Sequence, residues 1–323
     1  MEIFRLPLLP LIEVFKNMDF REKFLISLLS KRARNILRIN SRSSEFSIDF
    51  SEELRISLRP NNSYRRSIVS DEVFDCLVSG EVLELKFSSV GVVLREQSPQ
   101  KQLLLANYVL DTFKKPPIHV LFEGSTPPTF VLEFMKMINQ KKLPIKSITL
   151  YIYSKSSELT SRILDECTGV TDTISIHSEF PNDLVYTPPR PFKATTLIVI
   201  ESTNWVNLES FMSCQRIYLN LGMHSNRTPQ SWNTFFRNWI DSDSPLENLS
   251  CVSGDKPINF PLMVDGLSNE GIKKRWTTDE WIDVKRRNGS EFVISRDSHY
   301  FHIWTKQEHL EHLRNQEQNS RFR

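Results

Sequence analysis

Residues 6–39 read LPLLPLIEVFKNMDFREKFLISLLSKRARNILRI, and this stretch predicts three short amphipathic helices in a row. The first starts between Pro7 and Leu9, since proline fits a first helical turn where its missing N–H has no partner to lose. Leu11, Val14, Phe15 and Met18 then recur at i, i+3, i+4 and i+7, which makes one apolar stripe. Asp19 opens the second helix as an N-cap, and Glu22 three residues on completes a capping-box arrangement. Phe20, Phe24 and Leu28 form one face of that helix and Leu25 with Leu29 another, so it is apolar nearly all the way round. Ser30 is the natural N-cap of a third helix that carries Ala33, Ile36 and Leu37 on one side. Its first turn is basic, Lys31 and Arg32, and positive charge at a helix N-terminus is mildly unfavourable, which points to another use for these cations.

A unit of about 40 residues usually needs disulfides, a metal or association to be stable. This one has no paired cysteines and no ligand cluster, so association remains, either with the rest of the chain or with a partner protein. The order of its residues favours the partner. Leu6-Pro7, the stripe to Met18, the capping Asp19, the two-faced second helix and Leu29-Ser30-Lys31-Arg32 together resemble an F-box. That resemblance implies docking on a Skp-type adaptor, which links to a cullin-RING ubiquitin ligase. Carried over by position, the contact set is Leu6, Pro7, Leu11, Ile12, Phe15, Met18, Phe20, Leu28, Ser30, Lys31 and Arg32. Arg34 departs from the pattern, because many F-boxes place an aromatic residue after the basic pair.

The chain has 323 residues and a formal net charge of +2. The densest basic clusters, Lys273-Lys274-Arg275 and Lys285-Arg286-Arg287, are nearly balanced by acids over the chain and read as solvated surface, so no nucleic-acid partner is expected. No apolar run approaches the 18 or so residues that span a bilayer, and Leu6 to Ile12 lacks the flanks of a signal core. Cys76, Cys167, Cys214 and Cys251 are far apart and read as reduced thiols, as expected of a cytoplasmic or nuclear protein. No membrane partner and no cofactor are expected.

Beyond Ser44 short strands alternate with helical stretches. VLELKF from Val82, IHVLFEG from Ile118, IKSITLYIY from Ile145, DTISIHS from Asp172, TTLIVIES from Thr195 and CQRIYLNL from Cys214 read as strands, with SPLENLSCV from Ser244 a weaker seventh. FVLEFMKMINQ, LTSRILDEC, NWVNLESFM and SWNTFFRNWI have helical spacing. Steps of about 20 to 35 residues suit an irregular ladder of leucine-rich type. A doubly wound parallel α/β domain is the alternative, disfavoured by the missing Gly-rich phosphate loop. The fold expected is therefore α+β or α/β: a three-helix F-box, then an irregular leucine-rich-repeat-like strand–helix solenoid, then a C-terminal β-hairpin over Glu291–Trp304 that caps the last repeat. The divisions are 1–45 for the F-box, 46–305 for a target-binding domain and 306–323 for a polar tail, a frayed helix or a disordered segment.

The second region resembles the type 2 F-box-associated domain that follows an F-box in a large nematode family, the F-box B-like proteins. The resemblance rests on Ile145 to Ile176, on Trp232-Asn-Thr-Phe-Phe-Arg-Asn-Trp239-Ile240 followed by Pro245-Leu246-Glu247-Asn248-Leu249, and on Ile294-Ser-Arg296-Asp297 with Trp304. Where many relatives have Gly after that Arg-Asp, this chain has Ser298. The resemblance implies capture of a target protein. Trp205, Trp232, Trp239 and Phe211 are possible target anchors, but their helical spacing favours the core.

Signs of catalysis are sparse. There is no P-loop, G-x-S-x-G elbow, H-E-x-x-H or dinucleotide fingerprint. His299 with His302, and His309 with His312, lack the further ligands of a metal centre, and Asp241 with Asp243 read as a polar loop ending a helix. The reading is a non-catalytic substrate-recognition subunit; the alternatives are a repeat-type binding module outside any ligase, and a metal-dependent or hydrolytic enzyme with an unfamiliar site.

Overall fold

The computed structural model describes residues 7–40, 45–59, 72–113, 116–181, 184–201, 203–221, 227–252, 259–274, 279–297 and 299–320. The chain folds as two compact units, Met1–Ile152 and Tyr153–Arg323. The first contains the three N-terminal helices together with the strands and helices that follow them to Ile152.

Helices α1 (Leu8–Asn17), α2 (Phe20–Leu29) and α3 (Lys31–Asn40) begin where the cap chemistry requires. Asp19 accepts from the Glu22 N–H at 2.8 Å, and the Glu22 carboxylate accepts from the Asp19 N–H at 2.9 Å. Ser30 Oγ accepts from the Ala33 N–H at 3.3 Å. The sheet of this unit uses β1 (Glu45–Phe50), β2 (Leu54–Arg59), β3 (Phe74–Val78), β4 (Glu81–Ser88), β5 (Gly91–Leu94), β6 (Ile118–Phe122) and β7 (Ile145–Leu150), in the order β7-β6-β1-β2-β5-β4-β3. β1, β6 and β7 are parallel, and the pairs from β1–β2 outward to β3 are antiparallel. Helix α4 (Pro99–Thr112) precedes β6 and α5 (Pro128–Gln140) precedes β7. The expected strand at Val82 thus belongs to an antiparallel meander rather than to a ladder. Gly91 permits that meander to close, because a Cβ there would lie 2.6 Å from the Ile56 carbonyl oxygen.

The second unit has α6 (Ser157–Glu166), β8 (Thr173–His177), β9 (Thr196–Ile200), β10 (Arg216–Asn220), α7 (Pro229–Asp241), β11 (Asn248–Val252), α8 (Phe260–Met263), β12 (Lys273–Lys274), β13 (Glu280–Lys285), β14 (Glu291–Arg296), β15 (Tyr300–Thr305) and α9 (Lys306–Ser320). Its sheet runs β8-β9-β10-β11-β15-β14-β13-β12, parallel from β8 to β11 and antiparallel beyond. The expected hairpin is β14–β15, and β15 pairs with β11, the last parallel strand. Two expectations need correction. The stretch NWVNLESFM forms a 3₁₀ turn at Leu208–Phe211 in place of an α-helix. Trp205, Leu208 and Phe211 recur every third residue and are all buried, and three residues per turn is the 3₁₀ period. Of the polar tail, Lys306–Ser320 form a helix, α9, whose His309 is buried, so this part packs on the fold rather than standing free; residues 321–323 lie outside the described residues.

Helix α2 is covered on both sides. Toward α1 and α3, Leu11, Phe15, Ile26, Ala33, Ile36 and Leu37 form one apolar cluster, with Ile12, Val14 and Met18 packed against it. Toward the sheet and α4, the Phe20 ring lies 5.6 Å from Phe113 and 6.1 Å from Phe46, and the Phe24 ring lies 5.5 Å from Phe87 and 5.7 Å from Tyr108. Trp205, Trp232, Trp239 and Phe211 are likewise buried in the second unit, as core rather than as surface anchors. Phe24→Ala is expected to destabilise the first unit by about 3–5 kcal/mol, the usual cost of emptying a buried aromatic site, read as a lower urea midpoint at unchanged slope.

Candidate functional site

Packing sorts the predicted adaptor contacts into two groups. Leu11, Phe15 and Phe20 are 0%, 3% and 1% exposed, so they build the helical unit and are not part of its surface. Ile12, Met18, Leu28 and Ser30 are half-buried, while Pro7, Lys31 and Arg32 are exposed; Leu6 lies outside the described residues. The expectation that the helices carry more apolar surface than their own chain covers holds only in part. What stays open is Leu8 (54%), Leu9 (75%), Leu29 (68%) and Ile39 (66%), none of which the contact set contained. Leu9, Leu29 and Ile39 lie off the stripes that their helices bury, whereas Leu8 continues the α1 stripe, three residues before Leu11, at the open end of the helix.

Arg34, the departure from the F-box pattern, docks α3 on α4. Its guanidinium lies 4.3 Å over the Tyr108 ring and its Nε donates to Thr112 Oγ1 at 3.2 Å. The aromatic partner is therefore supplied by α4, across the contact rather than next to the basic pair. On the other flank of Tyr108, its hydroxyl lies 3.0 Å from Ser27 Oγ of α2. These contacts fix the three helices, and with them Leu8, Leu9, Leu29 and Ile39, on a rigid support.

Other chemistry-bearing clusters have structural partners. Glu45, His119 and Ser147 sit on β1, β6 and β7 and form a relay: His119 Nδ1 lies 2.6 Å from Ser147 Oγ and Nε2 lies 2.9 Å from the Glu45 carboxylate. The connectivity matches a nucleophile–base–acid triad, but Ser147 lies within β7 in a parallel ladder with β6, not on an exposed elbow. Lys146 also binds the Glu45 carboxylate, so the relay works as a cross-strand clamp. His302 pairs with Ser250 Oγ at 2.9 Å. The loop with Asp241 and Asp243 is held by Arg286, which donates to the carbonyls of Ser242 at 2.7 Å and Ser244 at 2.9 Å while lying 5.1 Å from Trp239. All four cysteines are buried, and burial pushes the Cys167 and Cys214 thiols up to about 12, far from a reactive thiolate. No group of three or more His, Cys, Asp or Glu among the described residues is placed to hold a metal ion. No helix among them is long and apolar enough to cross a membrane. Arg275 and Ser298 lie outside the described residues.

The three-helix unit thus combines a buried core with exposed leucines and an exposed basic first turn of α3. Residues 3–43 match the F-box domain family. An F-box domain implies a Skp-type adaptor as partner, and proteins that carry one are generally non-catalytic adaptors of ubiquitin ligases. No curated protein and no solved structure matches the chain.

Hydrogen bonds from Lys146 and then His119 hold the Glu45 carboxyl below the usual carboxylate range. A depressed carboxyl pKa gives stability that is present above the unfolded-state value, about 4.3, and is lost as pH falls through the folded-state value. Acid unfolding is therefore expected to steepen below about pH 4.3, and Glu45→Gln is expected to flatten that dependence. Urea midpoints from pH 6 to pH 3 measure it; because Glu45 is partly exposed, the effect is modest.

Proposed function

We propose that this chain is the substrate-recognition subunit of a Skp-cullin-F-box ubiquitin ligase, with the N-terminal helices on the adaptor and the remainder on a target protein. The observation that carries the reading is the F-box match over residues 3–43. The exposure of Leu8, Leu9, Leu29 and Ile39, and of the basic pair Lys31 and Arg32, supports it, since these side chains are left open by the fold. Leu11, Phe15 and Phe20 enter as the residues that shape that surface; Pro7, Ile12, Met18, Leu28, Ser30, Lys31 and Arg32 enter as direct contacts.

For the target side, the reading is a type 2 F-box-associated domain of the nematode F-box B-like kind, built as an irregular leucine-rich-repeat-like array. The run β8 to β11 supports it, because these parallel strands follow chain order with no reversal, whereas a doubly wound sheet has a switch point. Trp239 against Phe292 at 5.1 Å, which packs the Trp232–Ile240 motif on β14, the strand that carries Ile294–Arg296, supports it as well. The chemistry of ubiquitin transfer belongs to other subunits. This chain contributes proximity: two partners held in one assembly meet at effective concentrations of order millimolar. Degradation of the target and a cytoplasmic or nuclear location complete the proposal.

A second reading, a binding module outside any ligase, is favoured by one observation: α1–α3 are integral to the first unit and have a folding role of their own. Co-expression with a Skp-type adaptor separates the two. A stoichiometric complex is expected with the unaltered chain, and Leu9→Glu with Leu29→Glu is expected to lose it. Both side chains are largely exposed, so folding stability should stay within about 0.5 kcal/mol. Failure of the unaltered, folded chain to retain the adaptor would leave the second reading in place.

A further inference from the structure

Strand β3 ends the sheet of the first unit: β4 pairs with one side of it, and no strand among the described residues pairs with the other. The β3–β4 hairpin turns at Ser79 and Gly80, whose φ angles of 52° and 97° are both positive, as the two-residue turn that follows the strand twist requires. Val78 and Glu81 flank that turn and so exchange both backbone hydrogen bonds, and Cys76 with Leu83 and Phe74 with Leu85 do the same at alternate positions. The N–H and C=O groups of Asp75 and Leu77 therefore point away from β4, along the open edge.

The two faces of β3 differ. Cys76 and Val78 are buried, and Phe74 on the same face lies 5.9 Å from the Phe87 ring. On the other face Leu77 stands directly across from Val82, and these side chains are 64% and 53% exposed; Val73, just before the strand, is 39% exposed. Asp75 stands directly across from Glu84 on that same face, and both are exposed. Neither carboxylate has an ion pair among the described residues. Like charges placed opposite each other weaken a sheet, so this pair costs stability and lacks a cation to offset it.

The second unit handles its outer strand differently: β12 is two residues long and both are lysine. β3 runs for five residues, Phe-Asp-Cys-Leu-Val, with neither lysine nor proline to turn another strand away. We propose that the β3 edge takes up an extended segment of a partner protein as one more antiparallel strand, with a lysine or arginine opposite Asp75 and aliphatic residues opposite Leu77 and Val73. The outward N–H and C=O groups of Asp75 and Leu77 supply backbone hydrogen bonds, and the alternate side chains supply the selection. The aliphatic residues cover Leu77, and the cation answers Asp75 and Glu84 together. A second copy of this chain is the poorer occupant, because its own Asp75 and Glu84 add carboxylates to a surface that already has two uncompensated. The inference deepens the target-capture reading and rests on it for the source of the strand.

The test is a fluorescence-anisotropy titration of the full-length chain with a fluorescein-labelled Val-Thr-Lys-Thr-Val-amide, which in antiparallel register sets valine, lysine and valine opposite Leu77, Asp75 and Val73. Saturable binding is expected, about tenfold weaker when glutamate replaces the lysine. Methylation of the lysine backbone nitrogen, which faces β3, is expected to abolish binding, and methylation of the threonine nitrogens, which face away, to leave it in place. Asp75→Lys separates the opposed carboxylates, so it should fold without a lower melting temperature and reverse the preference toward the glutamate peptide. Absence of saturable binding, equal affinity for the lysine and glutamate peptides, the same effect of methylation at both kinds of nitrogen, or a preference unchanged in Asp75→Lys would each overturn the proposal. Dimerisation of the chain alone that Leu77→Lys abolishes would make a second copy the occupant and overturn it as well. The titration needs no ligase, so its failure leaves adaptor docking untouched, and a failed adaptor complex leaves the edge site untouched.

Discussion

The packing of Phe20 and Phe24 between two layers is the contact on which the N-terminal half depends. One face of α2 closes the small helical core with α1 and α3, and the other reaches Phe46, Phe87, Tyr108 and Phe113 of the sheet and α4. A helix bundle of this size is too small to stabilise itself, and here the missing apolar area comes from its own chain. The same constraint has a functional consequence. Because α2 cannot rotate without exposing phenyl rings on one side or aliphatic groups on the other, the exposed leucines of α1 and α2 are presented in a fixed geometry, which is what a docking surface requires.

The second unit solves a different problem, the exposed edge of a parallel run. β11 ends that run, and its outer edge is taken by β15 in antiparallel register, Leu249 opposite Ile303 and Cys251 opposite Phe301. The hairpin then continues outward through β14 and β13 to the two-residue strand β12, so the sheet tapers to a short edge with lysines at both of its residues. Short, charged edge strands resist further pairing. The α7 core is tied to this extension by Trp232 on Phe301 at 4.5 Å and Trp239 on Phe292 at 5.1 Å, so the cap is also part of the core.

Periodicity and cap chemistry made much of this legible from the sequence. Asp19 with Glu22, Ser30, and the β-branched runs at Ile118, Ile145, Asp172, Thr195 and Cys214 each act through nearest neighbours, which a linear text preserves. What periodicity does not carry is the identity of the covering surface. Leu11 and Phe20 read as apolar whether a partner or β1 covers them, and the strand β1 that does so for Phe20 was itself missed, although Phe46, Ile48 and Phe50 alternate with Glu45, Ser47 and Asp49 in the strand period. The helix misread at Leu208 had the opposite cause: its spacing was three, and a window tuned to 3.6 accepts three. The ring contacts of Trp281 with His309 and of Trp304 with His312 were hidden for a third reason, since they form only when α9 folds back on the hairpin.

Arginine on an aromatic ring is the recurrent joint of this molecule. Arg34 on Tyr108, Arg227 on Trp232 and Arg286 on Trp239 each combine a stacked guanidinium with a directed hydrogen bond, to Thr112, to the Val206 carbonyl and to the Ser242 and Ser244 carbonyls. The two halves of the interaction do separate work. The ring sets the plane of the guanidinium, and the oxygen sets its rotation, so a loop or helix end is located in more dimensions than a greasy contact provides.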